Sequence, residues 1–143
     1  MKLIELGLLR WQVLAVYDHR ERCNVLDVLM ELHGPAAKRM LRTLDSHIPE
    51  RGPDFRNREK VKHLHGDIWE LREQPTKGPK PRVYFFQDGS RRIVTTEANG
   101  KRDDDVTPYI KRAKEIRTSY FAAKAEGQIV IEKRKLKGPK RES

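Results

Sequence analysis

The hydrophobic and polar positions in the first half of the chain predict one strand followed by two helices. Residues 10–18 alternate loosely and are rich in Val, Trp and Tyr, which is typical of a strand. Apolar residues recur at helical spacing over 25–32, and the run His33-Gly34-Pro35 ends that helix. Pro35 suits the first turn of a second helix, whose apolar side carries Ala36, Met40, Leu41, Leu44 and Ile48.

The second half of the chain predicts three strands and a final helix. Residues 49–62 are polar and predict a loop, whereas residues 67–73, 82–87 and 92–97 predict strands. The run Asp88-Gly89-Ser90 predicts a tight hairpin turn. The last helix should span 107–126, with Thr107 as its cap, Pro108 at its first position and Gly127 after its end.

These elements predict an α+β fold in the order β-α-α-β-β-β-α. Consecutive strands with short links must be antiparallel, so we expect a small antiparallel sheet packed on the helical hairpin, with a C-terminal helix. Residues 1–127 should form a single domain and residues 128–143 a basic, flexible tail, of which residues 133–143 have no core-forming pattern. The hairpin covers one face of the sheet, so we expect the other face to be partly open and to carry the function.

Counting every second residue sorts the strand side chains between the two faces. If Trp69, Leu71, Val83 and Phe85 meet the helices, then Arg72, Arg82 and Tyr84 converge on the open face. Two guanidinium groups beside an aromatic ring form a plausible platform for a phosphate and a stacked base. The alternative is that Arg72 pairs with Glu70 or Glu73 and only makes the sheet soluble.

The charge balance favours a polyanionic partner. The chain has 143 residues, of which 31 are Lys or Arg and 21 are Asp or Glu, for a net charge of +10. Such an excess attracts nucleic acid, although a basic tail that aids solubility is the alternative. The single cysteine, Cys23, excludes an internal disulfide. No apolar run is long enough for a membrane span and no signal peptide is evident, so we expect a cytoplasmic protein.

Several motifs occur in the order found in a known toxin family. Residues 65–72 (HGDIWELR) resemble the strand G-x-(L/I)-(W/Y)-E-L-R of HigB-like toxins, within the RelE/ParE superfamily. Residues 82–86 (RVYFF) are similar to that family's Y-R-(V/I)-L-Y-F strand. The turn at 88–90 and the later Lys101-Arg102, Thr107-Pro108 and Ala113 resemble the family's passage into its last helix. The resemblance extends from about residue 10 to residue 124.

The resemblance implies the toxin of a type II toxin–antitoxin system. Such a protein cleaves mRNA on the ribosome, with no metal or other cofactor, and is neutralised by a helix-turn-helix antitoxin. In this chemistry the 2′-hydroxyl attacks the adjacent phosphate, and cationic donors stabilise the growing negative charge. The implied catalytic residues are Arg72, Arg82 and Lys101. The candidate RNA-binding residues are Arg102, Tyr84, Lys80, Arg91 and Arg92.

Two other functions stay open on the same fold. The chain has Ala98-Asn99-Gly100 where the family has an aromatic residue, and the acidic run Asp103 to Asp105 opposes RNA at short range. Both features favour a non-catalytic relative that binds RNA, the ribosome or an antitoxin. A gyrase-directed toxin of the ParE branch is the other alternative. His63 and His65 lie near Asp67, but no further Cys or His completes a metal site, so we expect no metal.

Overall fold

The computed structural model shows one mixed sheet with a helix on each face. It describes residues 1–6, 12–18, 20, 22, 23, 25, 34–45, 61–73, 81–98 and 105–133. The strands are β1 (Lys2–Glu5), β2 (Gln12–Val16), β3 (Val61–His63), β4 (Trp69–Arg72), β5 (Arg82–Asp88), β6 (Arg91–Glu97) and β7 (Val130–Glu132). The helices within these residues are α1 (Gly34–Leu44) and α2 (Thr107–Ala125).

The α+β class predicted from the sequence is confirmed, but the sheet is mixed rather than antiparallel. Its strand order is β3-β4-β5-β6-β2-β1-β7. The neighbours from β3 to β6 are antiparallel, as expected for short links. β2 runs parallel to β6, and β1 runs parallel to β7. A parallel pair arises here because the chain leaves β2, passes through α1 and the hairpin strands, and returns beside β2 from the same end.

One face of the sheet packs on α1, as the alternation predicted. Met40 and Leu44 of α1 lie in the same buried cluster as Trp69, Leu71, Val83 and Phe85. The helix predicted over 25–32 lies outside the described residues apart from Val25, which is helical and buried. The described part of the helical layer therefore covers the face that the sequence assigned to it.

The expectation of an open second face is wrong for much of the sheet, because α2 packs on it. Tyr84 and Phe86 of β5 form a second buried cluster with Ile93 of β6 and with Ala113 and Tyr120 of α2. The physical reason is visible in the sequence of β5. Its consecutive residues 83–86 (VYFF) are apolar on both sides, and a strand of that kind needs a covering layer on each face.

Three short strands extend the sheet beyond the predicted set. β3 lies at the end of the segment 49–62 that was expected to be a loop. β1 precedes the expected first strand, and β7 falls within the segment 128–143 that was expected to be a flexible tail. β1 pairs with both β2 and β7, so β7 depends on a partner more than a hundred residues away. Local hydrophobic patterns do not reveal such a pairing.

α2 has the predicted extent but a different start. Its N-cap is Val106, with no side-chain hydrogen bond, so the expected cap at Thr107 is wrong. At its other end, Gly127 has a φ of +68° and donates its N–H to the Lys124 carbonyl, which stops the helix as expected. Within the part of the chain that the structure describes, no helix is sufficiently long and apolar to cross a membrane.

Candidate functional site

Glu70 is the centre of a polar cluster between β4 and β5. Its Oε2 accepts hydrogen bonds from Tyr84 Oη at 2.8 Å and from Arg82 Nη1 at 3.4 Å. Its Oε1 lies 3.5 Å from Arg72 Nε. Strand register explains this convergence, since Glu70 is the cross-strand partner of Tyr84, and Arg72 that of Arg82. All four side chains therefore project from the same face of the sheet, as the alternation predicted.

The centre of this cluster is buried. The side chains of Glu70 and Arg82 are only 6% and 7% exposed, and Tyr84 is fully buried. Burial raises the pKa of Tyr84, and the hydrogen bond to the Glu70 carboxylate raises it further. Tyr84 is therefore a neutral donor that fixes the carboxylate. It cannot stack on a base from this position, so that part of the prediction is wrong, because its ring lies in the core beneath α2.

Arg72 is the member of the cluster that reaches solvent. Its side chain is 24% exposed, whereas its Nε is buried and makes no hydrogen bond to a residue that the structure describes. The distance of 3.5 Å to Glu70 allows an ion pair but is too long for a strong hydrogen bond. The pairing of Arg72 with Glu70, considered above as an alternative to function, is therefore present. Arg82 binds the same carboxylate, so Glu70 is shared between the two arginines.

A β-bulge lies beside the cluster. Tyr84 pairs with Thr96 and Phe85 pairs with Val94, so Thr95 is an extra residue on β6. Its hydroxyl donates to the Tyr84 carbonyl at 2.9 Å. Bulges increase local twist and redirect side chains. Here the bulge adjusts the register of β6 just before the strand ends, so that the backbone N–H of Ala98 binds the Arg82 carbonyl at 2.9 Å.

Three of the predicted site residues lie outside the described residues. They are Lys80, Lys101 and Arg102. Their roles stay predictions. Their neighbours in sequence are described, however. Pro81 precedes the Arg82 strand, and Ala98, next to Arg82, precedes the segment that holds the Lys101-Arg102 pair. Pro81 and Ala98 both lie at the end of the sheet that holds Arg72 and Arg82.

Arg92, predicted to bind RNA, is fully buried on the opposite face. Its Nη1 donates to the carbonyl of Leu44, the last residue of α1. Burial lowers the pKa of Arg92 to about 10, which leaves it charged at neutral pH. The RNA-binding assignment is wrong because Arg92 shares its face with Val94, in the core under α1, where it caps the helix end.

Arg91 lies at the far end of the sheet from Arg72. It pairs with Asp88 at the β5–β6 turn, whereas Arg82 begins β5. Its Nη1 donates to Tyr120 Oη at 3.1 Å, and that hydroxyl donates to Asp88 at 2.6 Å. Burial favours protonation of Asp88, but hydrogen bonds from Lys124 and Tyr120 outweigh it and hold the pKa of Asp88 below its ordinary value. The network fastens α2 to the hairpin and sets Arg91 apart from the arginine pair.

A cleft of about 650 Å³ adjoins the other side of α2. It lies between the first half of that helix and the ends of β2 and β6, next to the bulge. Its walls include side chains of both charge signs and two tyrosines, namely Tyr17, Arg22, Glu97, Tyr109, Arg112 and Glu115. Because four separate parts of the chain form it, no sequence pattern predicted it.

His63, one of the two histidines weighed as metal ligands, contacts an aromatic ring and one carboxylate. His63 stacks on Trp69 at 4.4 Å between ring centroids, and its Nε2 lies 3.9 Å from an Asp67 oxygen. Across the residues with a described position, no group of three His, Cys, Asp or Glu side chains could hold a metal ion.

Comparisons with known proteins give no relative for this chain. No protein-family model matches it. Nor does any curated protein or any solved structure. The chemistry of the site must therefore be argued from its own residues.

Proposed function

We propose that the chain is an endoribonuclease toxin that cleaves mRNA on the ribosome, with Arg72 and Arg82 stabilising the reacting phosphate. One observation carries the proposal. Two arginines on adjacent strands are direct cross-strand partners, and their guanidinium groups share a single carboxylate. The resemblance of both strands to HigB-like toxins, and the net charge of +10, point to the same substrate class.

The arrangement suits a phosphate that gains negative charge. The 2′-oxygen attacks phosphorus, the bond to the 5′-oxygen breaks, and the products are a cyclic phosphate and a 5′-hydroxyl. One proton leaves the 2′-hydroxyl and one reaches the 5′-oxygen. Fixed cationic donors lower the barrier because they need no rearrangement as charge grows. The two guanidinium groups and the one carboxylate leave a single positive charge in excess, and Arg72 at the rim is the group able to touch the phosphate.

Lys101 and Arg102 complete the proposal as phosphate-binding or proton-transferring groups. A lysine acts as a base only if its pKa is lowered, and neighbouring cations do that. We also propose a RelE-like topology for the chain. The expected strands, the second helix and the last helix occur in the expected order, together with the three additional strands. A helix-turn-helix antitoxin is the proposed partner that neutralises the protein.

The burial of the cluster changes how the proposal must be tested. Replacing Arg82 removes a buried charge from its carboxylate, so loss of activity would not separate catalysis from folding. Arg72→Gln is the sharper variant, because that side chain is partly exposed and Arg82 keeps its contact with Glu70. Lys38→Gln on α1 is a matched control, since Lys38 is exposed on the opposite face.

Inducible expression in a bacterial host provides the test. We expect the wild type and Lys38→Gln to arrest growth within one generation, and Arg72→Gln to allow growth at equal protein levels and equal melting temperature. Growth arrest by a folded Arg72→Gln protein would reject the assignment of the site.

A non-catalytic binding protein is the second candidate, and the burial favours it. A carboxylate that already binds two guanidinium groups competes with a phosphate for them. If this candidate holds, the wild type leaves growth and mRNA unchanged but still binds RNA or an antitoxin.

A further inference from the structure

The side of α2 next to β4 carries a row of cations. Lys111, Lys114 and Arg117 follow one another at intervals of three residues, so they lie along one side of the helix. Lys111 and Lys114 are exposed, and Arg117 is one-third exposed. Arg117 pairs with Asp67 at 3.4 Å. Neither Lys111 nor Lys114 has an ion-pair partner among the residues the structure describes.

Two contacts place this row beside the 3₁₀ turn His65–Asp67 that leads into β4. A Cβ atom at Gly66 would lie 3.1 Å from the Cε of Lys114, so the absence of a side chain there lets the lysine stem cross the turn. Arg117 reaches Asp67 of the same turn. The row therefore adjoins the strand that ends at Arg72.

The direction of α2 brings the row towards Arg72. Near the start of the helix, the Tyr109 carbonyl accepts a hydrogen bond from Thr96 at the end of β6. Near its end, Tyr120 binds Asp88 at the end of β5. α2 thus runs parallel to β5 and antiparallel to β4. Lys114 therefore lies near the start of β4, and Lys111 lies further along β4, towards Arg72.

We infer that Lys111 and Lys114 bind backbone phosphates of the RNA strand whose reacting phosphate lies at Arg72. The inference rests on the proposed function for the position of that phosphate. Lysines bind phosphates as point charges without reading bases, and each contact releases counterions. Arg117 pairs with Asp67, so in this proposal it holds α2 against the 3₁₀ turn and does not bind the RNA strand.

The surroundings favour RNA over an acidic protein as the partner of this row. Protein interfaces depend on apolar anchors at their centre. In the described part of the chain, the large hydrophobic residue that stands exposed is Val130, on β7 at the other edge of the sheet. A row of unpaired lysines without an apolar anchor is typical of a surface that binds the phosphate backbone of a nucleic acid.

Fluorescence anisotropy with the full chain tests the inference. The probe is a labelled 12-nucleotide 2′-O-methyl RNA, which lacks the attacking hydroxyl and so is not cleaved by the proposed chemistry. Lys111→Gln/Lys114→Gln removes two charges and keeps most of each aliphatic stem. Lys38→Gln/Arg42→Gln removes two exposed charges from α1 and is the matched control. Affinity is measured at several salt concentrations.

Loss of two phosphate contacts on a single strand should lower the slope of log affinity against log salt by roughly 1.4. With equal binding at about 1 M salt, this slope corresponds to a loss of about 25-fold in affinity at about 0.1 M. The control should bind within about twofold of the wild type, since its charges lie on the opposite face. Equal loss in both double variants, or no loss in Lys111→Gln/Lys114→Gln, would overturn the inference. Polyglutamate serves as a second probe that represents an acidic protein. A Lys111→Gln/Lys114→Gln protein that loses affinity for polyglutamate but retains its affinity for RNA would also overturn the inference.

Failure of the inference and failure of the proposed function give different results. If the wild type cleaves ribosomal mRNA but the Lys111→Gln/Lys114→Gln protein binds RNA normally, the inference is wrong and the function stands. If that variant loses RNA affinity but no protein cleaves mRNA, the binding row stands and the nuclease does not.

Discussion

Replacing Glu70 by Gln removes the charge that Arg72, Arg82 and Tyr84 share, while the size of the side chain stays nearly the same. The carboxylate is 6% exposed and Arg82 7%. Removing one partner of a buried ion pair costs about 3–5 kcal/mol. We expect the lower end, because Arg72 is partly exposed and the Gln carbonyl can still accept the hydrogen bond from Tyr84.

A loss of about 3 kcal/mol should lower the melting temperature by roughly 6–12 °C for a domain of this size. Thermal and urea unfolding of the purified protein measure it. Glu115→Gln is the control, since Glu115 is exposed on α2 and should change stability by no more than about 0.5 kcal/mol. A Glu70→Gln protein that melts within about 2 °C of the wild type would refute the view that this carboxylate holds the arginine pair.

A double-mutant cycle of Tyr84→Phe with Glu70→Ala isolates the hydrogen bond of 2.8 Å between Tyr84 and Glu70, because neither replacement can form it. A hydrogen bond to a charged group contributes about 1.5–3 kcal/mol, so we expect a coupling energy in that range. A coupling below about 0.5 kcal/mol would mean that the two side chains act independently.

Other changes should have smaller effects. Tyr120→Phe removes a hydroxyl that joins α2 to the β5–β6 turn, and we expect a loss of about 1–2 kcal/mol in urea unfolding. Asp88 accepts hydrogen bonds from Lys124 and Tyr120, which outweigh its burial and hold its folded pKa below the ordinary 3.8. Its stabilisation is therefore lost as the pH falls through that folded pKa. The stability of Asp88→Asn should therefore fall less steeply than that of the wild type below about pH 4, and parallel acid limbs would contradict this. Gly66→Ala forces a side chain to a φ of +70° and should cost about 1 kcal/mol by the same assay. Arg92→Met should leave RNA affinity within about twofold, because Arg92 is fully buried, and a large loss would restore it as an RNA ligand.

The strands and helices with strong local patterns could be predicted from the sequence. The helix at Thr107–Ala125 and the hairpin strands β5 and β6 have clear boundaries, because turn residues and proline mark their ends. The edge of the sheet could not be predicted in the same way. β1 and β7 are short, and each is stabilised by pairing with a strand remote in sequence.

The candidate site was predicted in part. Period-two counting placed Arg72, Arg82 and Tyr84 on one face, because strand geometry alone decides it. Their burial depended on α2, whose packing face was not clear from its sequence. Arg92 was misassigned for a related reason, since a charged residue in a strand is normally exposed, and only the carbonyl at the end of α1 explains its burial.

Primer extension on a reconstituted translation reaction tests whether the arginine pair cleaves mRNA. Wild-type protein and Arg72→Gln are added to ribosomes that carry a defined mRNA, and the new RNA ends are mapped and tested for a 5′-hydroxyl. We expect new 5′-hydroxyl ends within the translated region for the wild type, and roughly a hundredfold fewer for Arg72→Gln. Intact mRNA with the wild type, or equal cleavage by both proteins, would contradict this expectation.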